Sequence, residues 1–158
     1  MTQNLFSPMP ATRSRPVYRL IQLVRQLDAV PYAALAIPLR LAVAWVFWSS
    51  ALTHLASWET TLFLFADEYR VPLVPPEVAA WLGVALEVAA PITLLLGLGT
   101  RFAAAALLGM TAVIEVFVYP QAWPTHLQWA AMLLVLLCRG PGALSLDACL
   151  AHRFMRAG

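Results

Sequence analysis

Four long apolar runs, separated by stretches rich in proline, glycine and charge, set the pattern of this chain. They cover about residues 34–55, 77–98, 101–119 and 124–138. Three of them reach the ~20 residues a helix needs to cross a bilayer, and the fourth has only about fifteen. Before the first run, Val17, Leu20, Ile21, Val24 and Leu27 recur at helical spacing, with Arg19, Gln22, Arg25 and Gln26 elsewhere. That alternation predicts an amphipathic helix over 16–30 lying on a membrane surface. It follows a tail, 1–15, whose composition predicts disorder. Between runs one and two, apolar positions 58, 62, 63 and 65 are interleaved with charge, which predicts a short interfacial helix. An extended VPLVPP segment comes next, because Pro72, Pro75 and Pro76 bar helix until Glu77. After the fourth run, Arg139-Gly140-Pro141-Gly142 is a stop. Ser145 can then cap a last amphipathic helix with Asp147 in its first turn.

The predicted fold is therefore all-α: an integral membrane four-helix bundle over 31–139, with amphipathic interfacial helices at both ends and a C-terminal segment over 140–158. Composition agrees. Of the 158 residues, 61% are hydrophobic and 11% charged, whereas a soluble domain carries about a quarter charged. A formal net charge of +2, spread along the chain, excludes nucleic acid as a partner class. The bilayer is the partner implied instead. No apolar signal peptide precedes residue 15, so the first span is expected to act as its own insertion signal.

Every basic residue is an arginine, and their placement predicts orientation. Arg13, Arg15, Arg19, Arg25 and Arg40 precede or open the first run, Arg101 lies between the second and third, and Arg139, Arg153 and Arg156 follow the fourth. The other connections hold Glu59, Asp67, Glu68 and Glu77 against Arg70 alone. The positive-inside rule then gives four spans with both termini in the cytoplasm. Arg40, in the opening turn of the first span, is expected to snorkel to the interface.

Candidate chemistry lies inside the runs. Glu87 and Glu115 stand among residues otherwise free of charge. An ionisable side chain at that depth costs roughly 3 kcal/mol on insertion scales, so it calls for a partner or a use. Glu87 lies on a face with Ala80, Gly83, Ala90 and Leu94, where helices can approach closely, and Pro91 removes the hydrogen bond its carbonyl would accept. At 1.5 Å per residue from the Gly99 turn, Glu87 and Glu115 rise about 18 and 24 Å. His54 and His126 fall near the same ends of runs one and four. The four helices thus supply one ionisable group each to one layer. Ser50 is one turn before His54, and Thr111 one turn before Glu115. With Trp58 and Trp123 as a roof, they form a candidate binding wall. A plainer reading stands beside each: Glu87 as a neutral hydrogen-bonding acid, Glu115 pairing outward, interfacial histidines, and belt tryptophans. Cys138 and Cys149 form no CxxC pair and read as free thiols, and no ligand pair has diagnostic metal spacing.

Several segments resemble one family in order. RLAVAWVFWSSALTHL, the Trp58–Phe65 segment, VPLVPPEVAAWLGVALEVAAPITLLLGLGTR, FVYPQAWPTHLQWA and RGPGALSLD are similar to those of DoxX proteins. The resemblance covers Arg40–Asp147. It implies a four-helix bundle in a bacterial inner (cytoplasmic) membrane. Similar proteins include a subunit of thiosulfate:quinone oxidoreductase and members linked to thiol redox. The absence of paired cysteines argues against dithiol exchange here.

The leading expectation is a redox-associated subunit that binds a quinone or similar lipophilic carrier. Glu87, Glu115, His54 and His126 would handle protons, and a partner protein would supply electrons. The alternatives are an accessory in metal-ion handling, with His54 and His126 as ligands, and a membrane anchor for a partner enzyme. Enzymatic activity and homo-oligomer formation are left open by the sequence.

Overall fold

The computed structural model describes residues 15–155, and the expected tail lies outside them save for its last residue. The chain divides into two units at Pro31. The first holds one helix, α1 (Arg15–Asp28), in which Val17, Leu20, Leu23, Val24 and Leu27 are all exposed.

The second unit is built on four helices. These are α2 (Tyr32–Ala56), α4 (Pro76–Leu96), α5 (Thr100–Val113, continued to Val118) and α6 (Trp123–Arg139). Helix α2 packs on α4 and α6, and α5 packs on α4 and α6, so the four close a ring. The short α3 (Trp58–Phe63) follows α2, and α7 (Leu146–Met155) follows the stop, with Ser145 accepting from the Ala148 amide. α2, α4 and residues 100–118 are long and apolar enough to cross a membrane. α6, at 17 residues, is shorter than a usual span.

The core explains the closeness of the ring. Val43, Phe47, Leu94, Leu107, Leu133 and Leu136 interdigitate around buried Ala44, Ala90, Ala103 and Ala104. Small residues let backbones approach where lipid is the competing solvent. Other large apolar side chains point outward: Phe102 is 85% exposed and Trp45 69%. An apolar exterior around closely approaching helices is the arrangement a bilayer demands, so the molecule is an all-α membrane protein.

One end of the ring is tied by backbone. Gly97 adopts φ +66°, and the Gly97 and Leu98 amides donate to the Leu94 and Thr93 carbonyls, which closes α4. The Asp147 carboxylate accepts from the amides of Gly99 and Thr100 at 2.8 and 3.3 Å, capping α5. Gly142 lies so near Ala33 that a Cβ there would stand 3.0 Å from the Ala33 Cα.

Arg40 departs from expectation. It does not snorkel but is 7% exposed, because α2 begins at Tyr32 and Arg40 falls two turns inside. Its guanidinium donates to the carbonyls of Leu94 (2.8 Å), Leu95 (2.7 Å), Pro141 (3.1 Å) and Leu144 (2.8 Å). Carbonyls in the last turn of a helix have spare accepting capacity, and a cation at a helix C-terminus satisfies both it and the dipole.

Candidate functional site: two histidine–glutamate pairs

The other end of the ring is assembled from side chains. Helix α2 carries Ser50 and His54 one turn apart, so both face α4. There His54 Nδ1 lies 2.8 Å from Glu87 Oε2, and the Ser50 hydroxyl donates to Glu87 Oε1 at 2.8 Å. Glu87 is 2% exposed. Each carboxylate oxygen therefore has its own partner, which is how a buried acid is tolerated.

α5 and α6 carry the second pair. His126 Nδ1 lies 2.6 Å from Glu115 Oε2. His126 is buried, whereas a third of the Glu115 side chain is exposed. Glu115 sits where α5 widens into a π-helical turn, Ile114–Val118, closed by the Tyr119 amide donating to the Ile114 carbonyl at 2.8 Å. A π turn adds a residue to the helical circuit and re-aims the side chains after it. The same device ends α3: Leu64–Tyr69 is also a π turn. The Thr61 hydroxyl donates to the His54 carbonyl at 2.7 Å and fixes this segment against the end of α2.

The imidazoles of both pairs line one cavity of about 390 Å³. Its remaining wall is mostly apolar and aromatic, with Phe47, Phe65, Trp129, Leu86 and Met110. Gly83 makes room for the Phe65 ring: a Cβ there would stand 3.2 Å from Phe65 Cζ. Val71 and Val74 close the cavity from a loop in which Arg70 and Leu73 hold positive φ, 42° and 67°. Non-glycine residues adopt that region at a cost of about 1–3 kcal/mol. A second hollow of about 310 Å³ is lined by Thr111, Glu115, Trp123 and His126.

The predicted residues thus separate. His54, Ser50, Glu87 and His126 share the cavity, while Glu115, Thr111 and Trp123 line the second hollow, with His126 on both. The Thr111 hydroxyl donates to the Leu107 carbonyl at 2.8 Å. Trp58 lines neither, because its ring packs on Trp81 with centroids 4.4 Å apart. The expected single wall under a roof of two tryptophans is replaced by two hollows that meet at His126. Among the described residues, no three His, Cys, Asp or Glu side chains converge as metal ligands.

The sequence reading missed Tyr69 and Tyr119. Tyr69 hydroxyl lies 3.5 Å from His54 Nε2, the two tyrosine rings meet edge-on at 5.8 Å, and the Tyr119 hydroxyl donates to Glu68. Burial pushes the Tyr69 phenol above its ordinary range, partly offset by hydrogen bonding with Tyr119. The Glu68 carboxylate holds the Tyr119 phenol well above the usual tyrosine value. Tyrosines at span ends read as interfacial anchors, so nothing in the one-dimensional pattern distinguishes them.

Residues 35–120, more than half of the chain, match the model of the DoxX family. The chain belongs to the DoxX family. The matched region contains His54, Glu87, Glu115 and both tyrosines, and ends before His126. No curated protein and no solved structure matches this DoxX chain.

Proposed function

We propose that this DoxX protein binds a quinone or a similar planar lipophilic carrier in the 390 Å³ cavity and manages its protons. One observation carries the reading: two imidazoles, each backed by a carboxylate, face one largely aromatic cavity. Its volume lies within the ~300–1,000 Å³ of small-molecule sites, which combine an apolar wall with a few placed polar groups. A quinone ring is held by apolar and aromatic walls and by hydrogen bonds to its carbonyl oxygens, and in this reading His54 and His126, which line the cavity, supply those bonds.

Reduction of a quinone takes up two electrons and two protons. The electrons come from a partner protein in this reading, since the described side chains supply no redox couple suited to it. The chain's own residues hold and move protons. Glu87 orients the His54 ring and stabilises its cationic form, so a proton given up at one face of the pair is replaced without leaving an isolated charge. Ser50 holds the carboxylate in place throughout.

In the same reading the protein has four spans in a bacterial inner membrane, with both termini cytoplasmic. α6 is the fourth span, about 25 Å long at 1.5 Å per residue, and is bracketed by Trp123 and Arg139. Arg101 and Arg139 then mark the cytoplasmic end, and the histidine–glutamate pairs the outer half.

The test is a titration of a short-chain quinone against protein in lipid nanodiscs, read by quenching of Trp129. The Trp129→Phe variant isolates that signal. Saturable binding is expected, weakened tenfold or more by His54→Ala. Binding that is absent, or equal in His54→Ala and the native chain, contradicts the proposal.

A further inference from the structure

We propose that Glu68, Tyr119 and Tyr69 form a proton path from the surface to the His54–Glu87 pair. This inference builds on the proton-handling role given to Glu87, but its test needs no quinone. Glu68 is exposed at the outer surface of the connection after α3. It accepts from the Tyr119 hydroxyl, Tyr119 meets Tyr69, the Tyr69 hydroxyl lies 3.5 Å from His54 Nε2, and His54 Nδ1 lies 2.8 Å from Glu87. The groups adjoin one another in this order, with the two tyrosines in edge-on ring contact, and every member can both accept and donate a proton.

Two features single this arrangement out from interfacial tyrosines in general. Tyr69 ends one π turn and Tyr119 immediately succeeds the other, so two separate helices are widened where their tyrosines meet. Such turns recur at functional sites because they re-aim a side chain at the cost of helical regularity. The cavity beside the path is walled by Val71, Val74, Leu82, Leu86 and Val118. That apolar wall gives bulk water no polar lining to follow to Glu87, and the tyrosine side supplies the polar route.

Proton balance is simple. Glu68 takes a proton from solution and becomes the donor; the Tyr119 hydroxyl turns toward Tyr69, accepts that proton on its oxygen and releases its own hydrogen to Tyr69. Tyr69 does the same toward His54 Nε2. The imidazole then gives its Nδ1 proton to Glu87 Oε2. Each intermediate group ends with the number of protons it began with; Glu87 gains one and the solution loses one. Rotation of the two hydroxyls and of the ring, or return of the protons, resets the path.

Time-resolved infrared spectroscopy after a pH jump tests this on the full-length chain in nanodiscs. The carboxylic C=O band that Glu87→Gln removes reports protonation of Glu87. Tyr69→Phe and Tyr119→Phe should each slow its appearance at least tenfold, and Glu68→Gln severalfold, without moving the band position. The phenyl rings keep the packing, and unchanged thermal unfolding confirms it. Variants that protonate Glu87 at the native rate overturn the path. So does a native protein with no band that Glu87→Gln removes, since the path would then lead nowhere. Failure of quinone binding alone would leave these rates as they are, so the two proposals fail separately.

Discussion

The two ends of the bundle hide polar groups in opposite ways. At the arginine end, Arg40 and Asp147 are spent on backbone: four carbonyls take the guanidinium, and two amides take the carboxylate. Asp147 does line a hollow of about 480 Å³ with Arg101 and Arg139, but its two carboxylate oxygens are already taken by backbone amides. At the histidine end, about 21 Å along α2 from Arg40, side chains bond to side chains, their protons can be exchanged, and their imidazoles face a cavity. Equal burial therefore carries different meaning. A buried ionisable group saturated by helix termini holds the fold; one paired with another titratable group beside a hollow is free to do chemistry.

Substitutions should divide along the same line. The largest loss of stability is expected for Arg40→Ala, about 3 kcal/mol or more, because it removes four charge-assisted hydrogen bonds to buried and part-buried carbonyls at once. Equilibrium unfolding in bicelles measures it, and a loss below about 1 kcal/mol would remove the structural reading of this end. Gly97→Ala should cost roughly 1–3 kcal/mol on the same scale, since its φ is positive and its Cβ would lie 2.5 Å from Ser145 Cβ. Asp147→Ala, the loss of a helix cap, should cost about 1 kcal/mol. Glu87→Gln keeps the Ser50 hydrogen bond through the amide oxygen. It should move stability least, by under about 1 kcal/mol, yet abolish quinone-linked proton uptake in a reconstituted assay. An Arg40 variant that loses proton uptake while staying folded would blur the division.

Much of the ring was legible in one dimension. Prolines, glycines and arginines bound the four apolar runs, and the small face carrying Ala80, Gly83 and Ala90 marked where α4 meets its neighbours. The layer of His54, Glu87, Glu115 and His126 followed from residue counts along each helix. Which histidine meets which glutamate did not, because pairing depends on the order of helices around the ring. Arg40 was misread for a related reason: its partners, Leu94 and Pro141–Leu144, lie 54 to 104 positions away and are backbone atoms that no sequence pattern advertises. The π turns after Phe63 and Val113 were invisible as well. No residue pattern signals them, and Tyr69 ends one while Tyr119 follows the other.

Mass spectrometry of the lipids and cofactors that co-purify with the protein in native lipid nanodiscs tests the central claim most directly. The account predicts a near-stoichiometric quinone on the native chain, strongly reduced by Gly83→Leu, whose side chain enters the cavity against Phe65 and Met110. Quinone at the level of empty nanodiscs, or equal amounts on both proteins, would contradict it.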